Sequence, residues 1–145
     1  RAGLVARFDL AALNILEADI ALSRNAKGVL AVGRFRSELA QYCVATGDPV
    51  AAKLEEPIAI LFIPEPLVGA NTEIELEADE FDTMFHDGQG VDLGEAVAQS
   101  LGLALDPYPR SPDAQKHLKA AGVKAEGEVA PLGALSGLKD LLAKK

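Results

Sequence analysis

From Ile15 to Ser23 the chain alternates apolar and polar positions, with Leu16, Ala18, Ile20 and Leu22 on one face and Glu17, Asp19, Ala21 and Ser23 on the other. That period of two predicts a half-buried β-strand. Asn25-Ala26-Lys27-Gly28 supplies turn residues, and Val29, Ala31, Gly33, Phe35 and Leu39 carry the apolar face along a second strand. A turn centred between Ala26 and Lys27 sets Leu22 opposite Ala31 and Ala18 opposite Phe35. The same register sets Asp19 opposite Arg34 and Glu17 opposite Arg36, so apolar meets apolar and charge meets opposite charge. A second turn at Thr46-Gly47-Asp48-Pro49 then sets Phe35 opposite Ile60 and turns Val50, Ala52, Leu54, Ile58, Ile60 and Phe62 inward, interrupted by Glu56. Pro57 cannot donate to a ladder, which predicts an edge or a bulge there.

Beyond Pro64 the alternation of Thr72, Ile74 and Leu76 with glutamates predicts one short strand near 72–77. From Asp92 the period changes to that of a helix: Leu93, Ala96, Val97, Ser100, Leu101 and Ala104 form one stripe, Asp92 is the N-cap, and Glu95 completes a capping-box pattern. Pro107 and Pro109 end that helix. Ser111 or Asp113 opens a second one through Ala121, closed by Gly122, and an amphipathic helix is expected from Leu132 to about Ala143. The expected fold is a single α+β domain, an antiparallel β-meander packed by a few helices. Its parts are a helical lead-in over 1–14, the meander over 15–63, an acidic loop with the short strand over 64–90, a helical block over 91–122, and a linker with the C-terminal helix over 123–145.

At 145 residues, 49% hydrophobic and 25% charged, the chain suits one globular domain. No apolar run reaches the roughly 18 residues of a membrane helix, and no membrane partner is expected. The first residue is Arg1 rather than Met, from which upstream residues are expected. With no export signal in view and a single cysteine, the cytoplasm is the expected compartment. The net charge of −8 is unevenly spread. Residues 54–95 hold twelve acids and no Lys or Arg, whereas the flanking segments each carry a balance of +2. Phosphate is repelled along such a middle, and a basic protein partner fits it better. The candidate docking residues are Glu73, Glu75, Glu77, Glu80, Asp82, Asp92 and Glu95. A rival reading places RNA phosphates on Arg34, Arg36, Arg110, Lys139, Lys144 and Lys145, although Arg34 and Arg36 can equally pair across strands with Asp19 and Glu17. A third reading, a metal-dependent hydrolase, would draw on Glu80, Asp82, His86 and Asp87. Acidic loops are usually just solvated, however, and nothing assembles a nucleophile, a base and an oxyanion donor. No catalytic residue and no cofactor is expected, and Cys43 reads as a buried core thiol.

The block Asp92-Leu93-Gly94-Glu95, continuing through Leu101, Leu103, Leu105, Pro107, Tyr108, Pro109 and Arg110, resembles the signature of the YceD family of large ribosomal RNA subunit accumulation proteins. The turn after Cys43 and the run Pro131-Leu132-Gly133-Ala134-Leu135-Ser136-Gly137-Leu138-Lys139-Asp140 agree with it, and the likeness spans about residues 15–145. Overall pattern places it nearest the alphaproteobacterial branch. The resemblance implies a non-enzymatic role in accumulation of 23S-type rRNA and large-subunit biogenesis, with a large-subunit ribosomal protein or maturation factor as partner, or rRNA itself. Many members carry Cys-x-x-Cys where this chain has Cys43-Val44-Ala45-Thr46, with further cysteine near the C-terminal block. Thr46 stands in place of the second cysteine and none follows Tyr108, so zinc is not expected here.

Overall fold

The computed structural model describes residues 1–65 and 82–124. A short helix α1 (Ala2–Arg7) leads into three long strands, β1 (Leu10–Arg24), β2 (Val29–Tyr42) and β3 (Pro49–Pro64). A short strand β4 (Asp82–His86) and two helices, α2 (Leu93–Ala104) and α3 (Ala114–Ala120), follow. The strands form one sheet in the order β1-β2-β3-β4. The first three run antiparallel as expected, while β4 lies parallel to β3 from Ile60 to Pro64, which makes the sheet mixed. The short strand expected near 72–77 and the helix from Leu132 lie outside the described residues.

The β1–β2 hairpin has the expected register: Leu22 faces Ala31, Ala18 faces Phe35, Asp19 faces Arg34 and Glu17 faces Arg36. The helical lead-in is shorter than expected. It ends at Arg7, and β1 begins at Leu10 rather than Ile15, because register shifts between Leu10 and Ala12 and between Leu13 and Ile15 break the alternation that a strand normally shows. Leu10 and Leu13 are consequently both buried, at a spacing that mimics a helix.

The β2–β3 register differs from the expected one. Phe35 faces Glu56 rather than Ile60, and Gln41 faces Val50 rather than Leu54. The loop spans Cys43–Asp48, closed by the Cys43 N–H on the Asp48 carbonyl (2.8 Å) and the Gly47 N–H on the Cys43 carbonyl (2.9 Å). Gly47, at φ +76°, ends this loop instead of sitting at the centre of a tight turn. The slip is an even number of residues, so the inward face survives: Ile58, Ile60 and Phe62 are all buried. β3 meets β4 only from Ile60 onward, and Pro57 therefore lies where β3 has no described neighbour on that side.

One face of the sheet carries the core. Ala31, Phe35, Leu39, Ile58, Ile60 and Phe62 pack against Ala96, Val97 and Leu101 of α2, with Leu10 and Leu13 closing the β1 side. The N-terminus of α2 is capped as the sequence predicts, the Asp92 carboxylate accepting the Glu95 N–H at 2.8 Å. The loop after α2 is tied to the β2–β3 loop. The Val44 N–H donates to the Pro109 carbonyl (2.9 Å), the Gln41 amide to the Asp106 carbonyl (2.8 Å), and the Ser111 N–H to Cys43 Sγ (3.3 Å). This strap leads directly into α3, which Gly122 closes at φ +82°.

Candidate functional site

The acidic middle of the chain separates into carboxylates that serve the fold and carboxylates that do not. Glu95 sits in the first turn of α2 and is gripped by both guanidinium nitrogens of Arg7, at 2.7 and 2.8 Å, while Gln99 donates to it at 3.0 Å. The hydrogen bonds from Arg7 and then Gln99 hold its carboxyl down at about 2. The capping box is thus half made: Asp92 accepts from the Glu95 backbone, but the Glu95 side chain turns to α1. Asp92 is spent as the N-cap. The Asp87 carboxylate holds the Gln89 N–H at 2.9 Å, and Glu55 pairs with Arg34 at 2.9 Å. Glu56, Glu65 and Asp82 make no ion pair or side-chain hydrogen bond with any described residue.

Two of these three share a groove. Glu56 occupies the one charged position in the inward series of β3, next to Pro57, and Asp82 opens β4 opposite Ile60. Between them and the last turn of α2 lies a cleft of about 360 Å³ floored by Phe35 and walled by Pro57, Leu103 and Ala104. Leu103 is 84% exposed, because the apolar stripe of α2 faces the sheet and Leu103 projects away from it. Sequence reading missed this groove, although its signal was present as the one glutamate breaking an apolar alternation. Of the other candidate docking residues, Glu73, Glu75, Glu77 and Glu80 lie outside the described residues.

Of the candidate RNA residues, the described ones, Arg34, Arg36 and Arg110, do not form one cluster. Arg36 donates to Glu17 through Nε at 2.9 Å, and Arg34 pairs with Glu55 across β3 rather than with Asp19. Lys53 and Glu38 add a third cross-strand pair at 2.6 Å, which leaves the face opposite α2 laced with both signs of charge. Arg110 is exposed on the strap beside the β2–β3 loop, whereas Arg34 lies in the middle of β2; Lys139, Lys144 and Lys145 lie outside the described residues.

Of the residues in the metal reading, Glu80 lies outside the described residues, and His86 and Asp87 make local contacts. His86 Nδ1 accepts the Gly88 N–H at 3.0 Å, so it and Asp87 shape the turn after β4. Among the described residues no three His, Cys, Asp or Glu side chains converge. Cys43 is 3% exposed, as expected of a core thiol, but it also takes part in the strap. The Ser111 N–H, and after it the Thr46 hydroxyl, pull its pKa from about 9 down to about 6. Thr46 Oγ1 also lies 3.4 Å from Ser111 Oγ. The Cys43 sulfur is thus held by the Ser111 N–H and the Thr46 hydroxyl, and with one cysteine in the chain the residues around it do not fit a thiolate-rich zinc site.

Comparison with known proteins agrees with the motif. A family model described as Large ribosomal RNA subunit accumulation protein YceD matches residues 31–141. The matched region runs from β2 through the groove, α2 and the strap. No curated protein and no solved structure matches the chain. Among the described residues no helix is long and apolar enough to cross a membrane.

Proposed function

The chain belongs to the YceD family, and from that premise we propose that it supports large-subunit rRNA accumulation without catalysis, by docking a basic ribosomal protein or maturation factor on its acidic middle. Membership supports the role in large-subunit rRNA accumulation. The observation that carries the docking mechanism is the charge partition: twelve acids and no Lys or Arg over residues 54–95. Among the described members of that set, Glu56, Glu65 and Asp82 have no cationic partner among the described residues. Unpaired carboxylates concentrated in one region raise the local concentration of a basic partner and speed its association.

The test is affinity capture with the full chain from lysate, with and without nuclease, identifying proteins and RNA together. Large-subunit ribosomal proteins are expected to remain bound after nuclease. Reversal of Glu73, Glu75, Glu77 and Glu80 to lysine is expected to lower that capture at least about tenfold, the equivalent of 1.4 kcal/mol. Unchanged capture after charge reversal would refute the acidic mechanism. Loss of every partner on nuclease treatment would make RNA the direct ligand, with Arg110 the described residue from which to start mapping.

A further inference from the structure

Building on the acidic-docking reading, we propose that the groove between β3 and α2 seats a short extended segment of the partner, in which a Lys or Arg is flanked by aliphatic residues. Three features of one place support this. Glu56 stands on the core-facing side of β3, in series with Leu54, Ile58 and Ile60, yet is itself exposed, so its charge stays solvated at the groove rather than in the core. Asp82 supplies a second carboxylate across the same cleft, and no described cation neutralises either one. Leu103, 84% exposed on the adjoining turn of α2, offers an apolar wall together with Pro57 and Ala104.

The chemistry selects the occupant. Two carboxylates repel phosphate, which turns away RNA. They also fall short of the oxygen set that a hard cation demands. A guanidinium or ammonium between Glu56 and Asp82 gains charge-assisted hydrogen bonds, and its neighbouring aliphatic side chain covers Leu103 and Pro57. At about 360 Å³ the cleft holds one or two side chains, not a folded surface. Pro57 presents a carbonyl but no N–H along the open edge, so side-chain recognition rather than a continuous backbone ladder defines the contact.

The experiment is an NMR titration of the isotopically labelled full chain with a capped Leu-Arg-Leu-Lys-Leu peptide, against a capped Leu-Glu-Leu-Glu-Leu control. Saturable shifts at Glu56, Asp82 and Leu103 with the basic peptide alone are expected. The Glu56→Gln, Asp82→Asn double variant should weaken binding at least about tenfold, as loss of charged hydrogen bonds implies. Leu103→Ala, at an exposed position that leaves the core intact, should weaken it about threefold or more through lost apolar contact. Shifts centred elsewhere, equal binding by the double variant, or absence of saturation would overturn the groove assignment. So would Lys144→Ala, Lys145→Ala moving the groove signals without peptide, because the occupant would then be the chain's own terminus. The Glu73 to Glu80 charge reversal leaves Glu56, Asp82 and Leu103 unaltered in sequence and so tests the docking reading by a separate change. If it abolishes ribosomal-protein capture while the peptide fails, the groove is refuted and the docking reading stands.

Discussion

Glu95 shows how a residue's chemistry can be legible from sequence while its role is not. Its position three residues after Asp92 announces a helix start, but nothing in the sequence announces Arg7, 88 positions earlier, as its partner. The pair ties α1 to α2 and removes Glu95 from the carboxylates open to a partner. Its pH dependence follows from the sign of the shift. The folded carboxyl titrates at about 2 against an ordinary value near 4.5, so its contribution to stability is complete above about 4.5 and is lost as pH falls toward about 2. Arg7→Ala should therefore melt below the parent at neutral pH, by a modest margin because the pair is solvent-exposed. That gap should narrow below about pH 4.5 and close near pH 2. Thermal melts across the acid range check this; a gap that persists at pH 2 would mean that Arg7 acts through its packing on Phe8, whose ring centroid lies 5.3 Å from the guanidinium carbon, rather than through Glu95. Ser37 is the converse case. Its hydroxyl is buried without a hydrogen-bond partner, between Leu16 and Leu54 on the neighbouring strands, a cost that alternation alone does not reveal.

The elements differ in how far local pattern determines them. The first hairpin was legible because both faces of its register are constrained: any odd slip would bury Glu17 and Asp19, and the charge pairs with Arg36 and Arg34 fix which even register is used. The second hairpin lacks that second constraint, since several even registers place the same apolar residues inward, and the choice rests on loop geometry around Gly47. β4 was not legible at all. Asp82-Thr83-Met84-Phe85-His86 has no clean alternation, and its parallel pairing with β3 depends on a long connection rather than on a turn. α2, by contrast, carries its cap, its stripe and its terminating prolines within one stretch of sequence. Gly33 marks where the strands approach most tightly. A Cβ built there would lie 1.9 Å from the Asp19 carbonyl oxygen, on backbone that cannot swing aside. Gly33→Ala should thus destabilise the fold by about 1–3 kcal/mol, the usual range for overpacking, despite the alanine's better intrinsic propensity. Denaturant unfolding measures this, and an unchanged midpoint would show that the β1–β2 pair can shift to admit a methyl group.

At the scale of the whole molecule, the charge asymmetry that the sequence displays becomes a division of labour between surfaces. The sheet face opposite α2 pairs Arg34, Arg36 and Lys53 with Glu55, Glu17 and Glu38, so its cations are already neutralised at close range. The unpaired acids Glu56 and Asp82 lie toward the α2 side, around the groove. Summed charge along the chain shows only that residues 54–95 are acidic, whereas the register and the ion pairs show which described carboxylates are spent on described partners and that Glu56 is not one of them. The same partition decides how RNA, if it is contacted at all, can be held. Each phosphate contact contributes roughly −0.9 to the slope of log affinity against log salt, measured on duplex. If Arg34 and Arg36 are spent on Glu55 and Glu17, replacing both with glutamine should leave that slope unchanged in a filter-binding assay with a large-subunit rRNA fragment, and cells carrying the variant should keep parental large-subunit rRNA levels. A slope flattened by about two would show instead that the cross-strand pairs open to receive phosphates. The sheet face, and not the acidic middle, would then be the surface that holds the rRNA fragment.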